Sequence, residues 1–351
     1  MKILNYGSFL QAFSLKMQFE QRGHEVFFID IKPGRKIVNL PPNKINLLSK
    51  FDKYVFKRIE NYILSKKMKR IHIDDYTKYL EINKKLSEGE KYDLVVIGSD
   101  EVFNATQPSS WGFTTQLFGC VENAKKVVTY AASCGQTTYE SIEKYGITQD
   151  IAKSMKNFSS ISVRDFNTYD FVKKLTGKEP YIHVDPVFLS DYDMYIPAIK
   201  TKKPYILIYA YPNRISDEKD IAAIKKFANK QNLQILCIGM QQRWCSNNKP
   251  ATAFELLGYF KNADYVITDT FHGTVFSIKY NKKFGVLIRE SNRNKLSGLL
   301  NQFGLMDRCI NDAEDIGSVM TSPINYKTVN LCVEQEKEKS YRYLNDISQL
   351  E

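Results

Sequence analysis

The sequence is poor in the residues that metal sites, disulfide frameworks and membrane spans require. It contains four histidines and six cysteines in 351 residues, with no CxxC pair and no short cysteine-to-histidine spacing suited to zinc. We therefore predict no metal and no bound cofactor. No apolar run approaches the roughly 18–20 residues of a membrane helix, and the first residues lack the apolar core of a signal peptide. These absences predict a cytoplasmic protein.

Acidic residues are outnumbered, with 39 Asp and Glu against 50 Lys and Arg and a formal net charge of +11. An excess of this sign favours anionic partners. Much of it lies between Lys32 and Arg70, where apolar residues at helical spacing (Tyr54, Val55, Ile59, Tyr62, Ile63) indicate a basic amphipathic helix. We favour a solvated helix face over a core, and peripheral docking at the inner membrane surface is the alternative. Nucleic-acid binding is not expected, because no recognised motif with interleaved aromatic residues accompanies the basic residues.

Short apolar runs alternate with helical patterns along most of the chain. This alternation is typical of successive β-α units and predicts an α/β fold with two parallel sheets. The predicted strands are Glu25–Ile31, Leu94–Gly98, Lys126–Ala131, Ser160–Val163, Tyr181–Val184, Tyr205–Tyr209, Gln234–Ile238, Tyr265–Thr268 and Phe284–Leu287.

Loop-like sequence rich in Tyr, Pro and Lys near residues 192–204 divides the chain into two domains. We predict an N-terminal Rossmann-like domain over residues 1–195, with a basic helical insertion at about 36–90. A C-terminal, doubly wound Rossmann-like domain covers residues 196–325. Residues 326–351 are predicted to form a terminal helix that packs back across both domains. The oligomeric state is not predicted.

Polar residues follow several predicted strands, where open parallel sheets bind ligands. The loop at residues 5–8 feeds a helix, and helix capping explains its composition better than ligand binding does. Residues 98–104 and 130–135 follow two strands, and function and capping are equally compatible with the first of them. Residues 130–135 offer a binding role only, because no histidine or aspartate lies near Ser133 in sequence to make it a nucleophile. Candidate ligand-contacting residues in these clusters are Asn5, Tyr6, Gly7, Ser99, Asp100, Asn104 and Ser133.

The strongest cluster is Thr268–Ser277, where a strand ends in polar residues and a helix begins. The positive end of that helix favours a phosphate or a carboxylate. His272 can hold such an anion as imidazolium or deliver a proton, since its ordinary pKa lies near neutrality. Asp269, Gly273 and Thr274 complete the candidate site.

Six motifs occur in one order along the chain: Asn-Tyr-Gly-x-x-Leu-Gln-Ala-Phe at residues 5–13, then residues 97–104, 130–135, 161–165, 185–189 and 268–277. In this order they resemble the polysaccharide pyruvyl transferase family. The resemblance implies a fold similar to the two-domain, GT-B-like glycosyltransferases, with a cleft between two Rossmann-like domains and the donor bound by the second. It also implies transfer of a pyruvyl group from phosphoenolpyruvate to two hydroxyls of a sugar in a bacterial surface polysaccharide, with release of phosphate.

The resemblance also implies roles for single residues. His272 is the expected acid, and it lies with Gly273 and Thr274 at the donor phosphate. Arg164 is expected to clamp the donor carboxylate or phosphate with two hydrogen bonds. Asp100 is a candidate base for the acceptor hydroxyl. The expected partners are phosphoenolpyruvate and a glycan acceptor. A lipid-linked glycan at the membrane would be one such acceptor.

The chain departs from the family pattern in several places. Only residues 1–4 precede the first motif, Glu101 and Phe103 replace Gln and Trp, and Cys134 replaces an aromatic residue. Lys295 occupies the place of an arginine, so charge is kept but bidentate geometry is lost. Two other functions compete with pyruvyl transfer. One is a nucleotide-sugar glycosyltransferase, with residues 209–211 and 241–244 as a nucleobase site, and the other is a non-catalytic glycan- or anion-binding relative.

Overall fold

A computed structural model describes residues 5–38, 55–87, 89–290 and 292–349. The first domain is an α/β unit whose described helices and strands follow one another along the chain. They are α1 (Tyr6–Glu20), α2 (Val55–Leu80), β1 (Tyr92–Asp100), β2 (Ala124–Ala132), α3 (Tyr139–Lys144), α4 (Thr148–Met155), β3 (Ser162–Val163), α5 (Phe166–Thr176) and β4 (Tyr181–Ile182).

The described strands of the first domain form one parallel sheet in the order β1-β2-β3-β4. Apolar side chains make this arrangement possible, because both faces of a parallel sheet are covered by helices. Val95 and Ile97 of β1 pack with Phe103 and Val163 in an apolar core beneath α4 and α5. The predicted α/β architecture with parallel sheets is confirmed, although these strands follow chain order rather than a reversed one.

Residues 25–31, predicted as a strand, form no strand in the structure. Among the described residues, backbone groups in and beside this segment bond to side chains. The Gln116 side chain donates to the Asp30 carbonyl at 3.1 Å and accepts from the Lys32 amide at 2.7 Å. The alternating pattern in the sequence therefore reflects partial burial of an extended segment.

The second domain contains the six other strands of the described chain. Its elements are β5 (Tyr205–Tyr209), α6 (Glu218–Lys230), β6 (Gln234–Ile238), β7 (Asn248–Lys249), α7 (Ala253–Asn262), β8 (Tyr265–Thr268), α8 (Phe271–Lys279), β9 (Lys283–Leu287), α9 (Arg293–Gln302), β10 (Cys309–Ile310) and α10 (Asp315–Thr321). A long helix, α11 (Tyr326–Ser348), follows them.

The second sheet is parallel, with strand order β10-β9-β8-β5-β6-β7. The order reverses between β5 and β8, which is the doubly wound arrangement predicted for this half of the chain. A ligand crevice is expected at the carboxyl ends of the two strands on either side of such a reversal. Those ends are Tyr209 and Thr268, and the motif containing His272 begins directly after the second of them.

Aromatic side chains join the two domains. Phe9 and Phe13 of α1 lie 5.9 and 5.2 Å from the ring of Phe254 in α7, measured between ring centroids. Tyr79 of α2 lies 4.9 Å from the same ring. Buried aromatic residues supply a large part of packing energy, so this cluster fixes α1 against the second domain beside the cleft.

The basic insertion contains the helix α2 with loops on either side in its described part, and residues 39–54, including Tyr54 of the predicted helix, lie outside the described residues. Met68, Tyr76 and Leu80 of α2 are buried in the core that joins the domains. Tyr62 and Ile63 are each 61% exposed, so they do not contribute to that core. At these two positions the apolar spacing in the sequence marks side chains that turn to solvent.

The last helix, α11, contacts both domains. The Cys332 thiol lies 3.5 Å from the Gln302 carbonyl of the second domain. Farther along, the Tyr343 hydroxyl donates to the Thr129 carbonyl of β2 at 2.9 Å. Within the four described segments, no helix is long and apolar enough to cross a membrane.

Candidate active site

The cleft brings the start of α8 against the start of α1. Gly7 lies against the imidazole of His272 so closely that an added methyl group would overlap the ring. Asn5 explains why α1 begins there, because its side chain accepts a hydrogen bond from the Gly7 amide at 2.8 Å and caps the helix. His272 is buried, and its Nε2 has no hydrogen-bond partner among the described residues.

Asp185 is the carboxylate that links the groups of the site. Its Oδ2 accepts hydrogen bonds from Arg164 Nη1 at 3.0 Å and from the Gln11 side chain. The same oxygen lies 3.7 Å from Nε2 of His272. Its Oδ1 accepts from the Val187 amide at 3.0 Å. One buried carboxylate therefore holds an arginine of the first domain next to a histidine of the second.

Arg164 is 5% exposed, yet its guanidinium is only partly paired. Beyond the bond to Asp185, it lies 4.0 Å from Asp100 and 4.0 Å from the centroid of the Phe271 ring. Its Nε and Nη2 have no hydrogen-bond partner within the described part of the chain. Buried donors without partners are costly and uncommon, so these N–H groups mark a place where a ligand oxygen would bind.

Asp100 lies at the end of β1 with a backbone φ of 75°, a left-handed conformation that non-glycine residues rarely adopt outside functional sites. Ser8 donates to its carboxylate at 2.5 Å. Burial raises the pKa of Asp100, but the charges of His272, Arg164 and Lys295 outweigh burial and lower it to about 2. The contribution of His272 exists only while its ring is protonated, so the arginine and the lysine are the lasting causes.

Lys295 of α9 reaches across the cleft to the first domain. Its Nζ lies 2.7 Å from Oε1 of Glu101 and 5.4 Å from the centroid of the Phe271 ring. Asn104 donates to the other oxygen of Glu101 at 2.8 Å. Glu101, one of the departures from the family pattern, therefore pairs with Lys295, which is another.

His272 has a lowered pKa, chiefly because burial disfavours its charged form. Asp185 and Asp100 act in the opposite direction, and the positive charges of Arg164 and Lys295 add to the lowering. The imidazole is therefore neutral in the empty site at neutral pH. A bound anion would favour the protonated form.

Cations line a cavity of about 270 Å³ at the cleft. Arg164, Lys295 and Lys339 contribute to its wall, together with Asp185 and Phe271. The described residues contain no group of three His, Cys, Asp or Glu side chains that could hold a metal ion.

Three of the predicted ligand-contacting residues are hydrogen-bonded to other protein groups. Tyr6 is buried in the core, where its hydroxyl donates to the Ala251 carbonyl at 2.7 Å. Ser99 is buried and donates to the Ala131 carbonyl at 2.8 Å. Ser133 donates to Asp165 at 2.7 Å, next to the start of α5. Their polar groups already have protein partners, so they support the fold around the site.

The predicted phosphate contacts at the start of α8 are also occupied. The Gly273 amide donates to the Thr270 side chain at 2.9 Å, which caps the helix. Thr274 is fully buried, and its hydroxyl donates to the Thr270 carbonyl at 3.0 Å. Asp269 accepts from the Tyr211 amide at 3.0 Å and lies 3.1 Å from Arg214. The structure places these three residues inside the second domain, whereas Phe271 and His272 of the same motif lie at the cleft.

Four residues of the site, Ser8, Gln11, Asp185 and Phe271, were not predicted as ligands. Asp185 could have been found, because it follows the predicted strand 181–184 at the same sheet edge as Arg164. Gln11 and Phe271 carry no comparable signal, since a glutamine on an apolar helix and a phenylalanine beside a histidine are ordinary core residues.

Solved structures with a similar chain path are distant. The glycotransferase of kitacinnamycin has a TM-score of 0.40 at 10% identity over 59% of both chains. Medicago truncatula UGT71G1 complexed with UDP-glucose has a TM-score of 0.36 at 13% identity, over 58% of this chain and 57% of that one. The chain thus spans less than two thirds of the length of these two structures. Arabidopsis thaliana UGT89C1 complexed with quercetin aligns over 97% of this chain and 96% of that one, with a TM-score of 0.40 and 9% identity.

No curated protein matches the chain significantly. The sequence profile of the polysaccharide pyruvyl transferases, in contrast, matches residues 5–291, a span that includes Gly7, Asp100, Arg164, Asp185 and His272. Because this match covers most of the 351 residues, the chain belongs to the polysaccharide pyruvyl transferase family.

Proposed function

We propose that the protein transfers the pyruvyl group of phosphoenolpyruvate to two hydroxyls of one sugar in a bacterial surface polysaccharide, forming a cyclic ketal. The observation that carries the proposal is the buried guanidinium of Arg164, whose Nε and Nη2 have no hydrogen-bond partner among the described residues. It shares the carboxylate of Asp185 with His272 and lines the same cavity as Lys295. Phosphoenolpyruvate carries a carboxylate and a phosphate, and arginine binds both kinds of anion with two hydrogen bonds.

The chemistry requires one acid and two hydroxyl nucleophiles. Protonation of the methylene carbon of the donor generates a cation at the neighbouring carbon, which the first sugar hydroxyl attacks. Loss of phosphate then allows the second hydroxyl to attack the same carbon and close the ketal. The two hydroxyls release two protons. One balances the proton that the methylene carbon received, and the other leaves with phosphate. No oxidant and no metal enters this balance.

His272 is suited to be the acid, because anion binding would raise its lowered pKa. Its ring is neutral in the empty site, where burial dominates. A donor that carries several negative charges would favour the imidazolium and so supply the proton that the methylene carbon needs. The acid is then present only when the donor is bound.

Asp100 is poorly suited to remove a proton, because a carboxylate with a pKa of about 2 is a weak base. It can accept a hydrogen bond from an acceptor hydroxyl and hold it in position. Phosphate oxygens, with a second pKa of about 6, are stronger proton acceptors than this carboxylate. We assign Asp100 the orienting role and the leaving phosphate the hydroxyl proton.

The nucleotide-sugar alternative loses part of its expected nucleobase site, although Tyr211, at 37% exposure, remains accessible. Tyr209 is fully buried, and its ring lies 5.4 Å from the ring of Phe260 and 6.1 Å from that of Phe276, centroid to centroid. A ring packed in this way cannot stack on a nucleobase. Gln242 is also buried, and its amide bonds to the carbonyls of Ala210 and Tyr211.

Calorimetric titration of phosphoenolpyruvate tests the donor site. The wild-type chain is expected to bind it, and Arg164→Lys is expected to bind it about 10–100-fold more weakly. The reason is that lysine cannot form the two parallel charge-assisted hydrogen bonds, worth about 1.5–3 kcal/mol each. Arg35→Lys, an exposed arginine that pairs with Asp150, is the matched control and should bind like the wild type. Binding of UDP-glucose in place of phosphoenolpyruvate would contradict the proposal.

We also propose that the start of α2 contacts the membrane surface, where a lipid-linked acceptor would be found. Tyr62 and Ile63 are exposed there, and the neighbouring Lys66, Lys67 and Lys69 are exposed as well. Apolar side chains flanked by cations suit the surface of anionic bilayers. The chain is expected to float with vesicles of phosphatidylglycerol and phosphatidylcholine but not with phosphatidylcholine alone.

The double variant Tyr62→Ser with Ile63→Ser should lose this binding, and Tyr145→Ser, which alters an exposed tyrosine of the first domain, should keep it. Equal flotation with both kinds of vesicle, or none with either, would contradict membrane contact without affecting the donor site.

A further inference from the structure

The cavity at Arg164 continues toward α11. On one side it is lined by Arg164, Phe166 and Ile182 of the first domain, and on the other by Lys295 of α9. Glu336 and Lys339 of α11 contribute its far wall. Phe166 is 68% exposed, which is unusual for an aromatic residue beside a polar site.

A second concavity, of about 470 Å³, lies between α11 and the β4 edge of the first sheet. Ile182 and Lys339 line both spaces, so the two are neighbours along the helix. The other lining residues of the second space include Lys126, Tyr181, His183, Arg342, Tyr343 and Asp346. Together the two spaces form a trough that starts at Arg164 and follows α11 to the outside of the first domain.

Aromatic rings form one wall of the outer half of this trough. Tyr181 is 59% exposed, and its ring centroid lies 5.4 Å from that of Tyr343 and 6.1 Å from that of His183. Two of the large exposed apolar side chains of the described residues, Phe166 and Tyr181, thus lie on the same path. Exposed rings in a groove are suited to pack against the apolar face of a sugar ring.

Positive charge dominates the outer half of the trough. Lys126, Lys339 and Arg342 line it, against Asp346 as the acidic lining residue. Lys339 pairs with Glu336 at 2.5 Å, and Arg342 lies 3.9 Å from Glu338, so both cations have partners that lie on α11 itself. Pairs between exposed side chains of one helix are weak, and an anionic ligand can exchange with them.

We propose that the trough along α11 binds an acidic saccharide chain, with its sugar rings against Phe166 and Tyr181 and its carboxylates near Lys126 and Arg342. As the site for the rest of the acceptor polysaccharide, the trough rests on the proposed function, because it leads to the cleft that holds Arg164. A trough of cations and aromatic rings also suits a single-stranded nucleic acid. The connection to the active site of a polysaccharide-modifying family favours the saccharide.

Saturation-transfer NMR with three probes tests the assignment: a hexagalacturonate, a neutral maltohexaose and a hexauridylate. The hexagalacturonate is expected to bind the wild-type chain in preference to the other two. Tyr181→Ala and Arg342→Gln should each weaken this binding at least tenfold, because one removes the exposed ring and the other the charge. Tyr145→Ala replaces an exposed tyrosine that lines neither space and should bind like the wild type.

Phosphoenolpyruvate titration of the same samples separates this proposal from the donor site. Variants that bind phosphoenolpyruvate normally but lose hexagalacturonate would support the trough. The trough proposal is overturned if hexagalacturonate fails to bind, if it binds both trough variants as tightly as the wild type, or if hexauridylate binds equally well. Hexagalacturonate binding without any phosphoenolpyruvate binding would instead contradict the donor assignment and still support saccharide binding in the trough.

Discussion

His272→Gln is expected to lower the rate of phosphate release from phosphoenolpyruvate, measured with a panel of aryl hexosides as acceptors, by about 10²–10⁴-fold. General acid catalysis is typically worth this factor. Glutamine fills a similar space beside Gly7 and carries an amide that can donate a hydrogen bond to Asp185. The fold should therefore be retained, and the loss should appear in turnover more than in donor affinity.

The same variant should abolish the uptake of a proton that accompanies donor binding. The pKa of His272 is lowered in the empty site and would be raised by a bound anion. Between those two values, binding adds a proton to the ring, so the affinity for phosphoenolpyruvate should rise as pH falls through that range. Calorimetry at pH 7.5 in buffers of different ionisation enthalpy counts the protons directly.

His24→Gln provides the matched control, because His24 lies at the far end of α1 beside Phe19. It should show the wild-type rate and the wild-type proton uptake. Equal uptake by His272→Gln and the wild type would mean that another group, or the donor phosphate itself, takes the proton, and His272 would then not be the acid.

Gly7→Ala is the second substitution with a large expected effect, and its sign is opposite to the usual one. Alanine in place of a helical glycine ordinarily stabilises a helix by about 0.5–1 kcal/mol. At Gly7 the added methyl group would overlap the ring of His272. We expect a loss of about 1–3 kcal/mol from overpacking and a fall in activity of about 10²-fold from displacement of the ring.

Gly317→Ala gives the control, since this glycine lies in α10 and no atom would contact the new methyl group. It should unfold at a higher temperature than the wild type, whereas Gly7→Ala should unfold at a lower one. Adding His272→Ala to Gly7→Ala should restore stability but not activity. If Gly7→Ala were as stable and as active as Gly317→Ala, the two domains would not be this close at the cleft.

Position at the end of a strand identified much of the site from the sequence. Asp100, Arg164 and His272 each follow a strand of a parallel sheet, and the structure brings them to the same cleft. The doubly wound second sheet was also predictable, because its strands are short apolar runs separated by helices of ordinary length. The sheet prediction depends on local sequence alone, whereas the role of Arg164 came from the resemblance to the family.

Predictions that depended on long-range contacts succeeded less often. Gly273 was predicted to offer its amide to a phosphate, but the capping side chain of Thr270 already accepts that hydrogen bond. Tyr6 was predicted at the cleft from its neighbours in the motif, yet the side chains of a helix point in different directions. Its ring points into the core between α1 and the second domain. Local patterns place a residue on a helix or strand, but they do not show which neighbour forms hydrogen bonds with its polar groups.

The return of α11 to the first domain also affects the order in which the chain can fold during synthesis. The Thr129 carbonyl in β2 receives its hydrogen bond from Tyr343, more than 200 residues later in the chain. Domains generally fold as they emerge from the ribosome, the earliest first. The face of the first sheet that packs against Tyr343 is therefore completed only by a helix that is translated after the whole second domain, and until then this face stays open to chaperones and proteases.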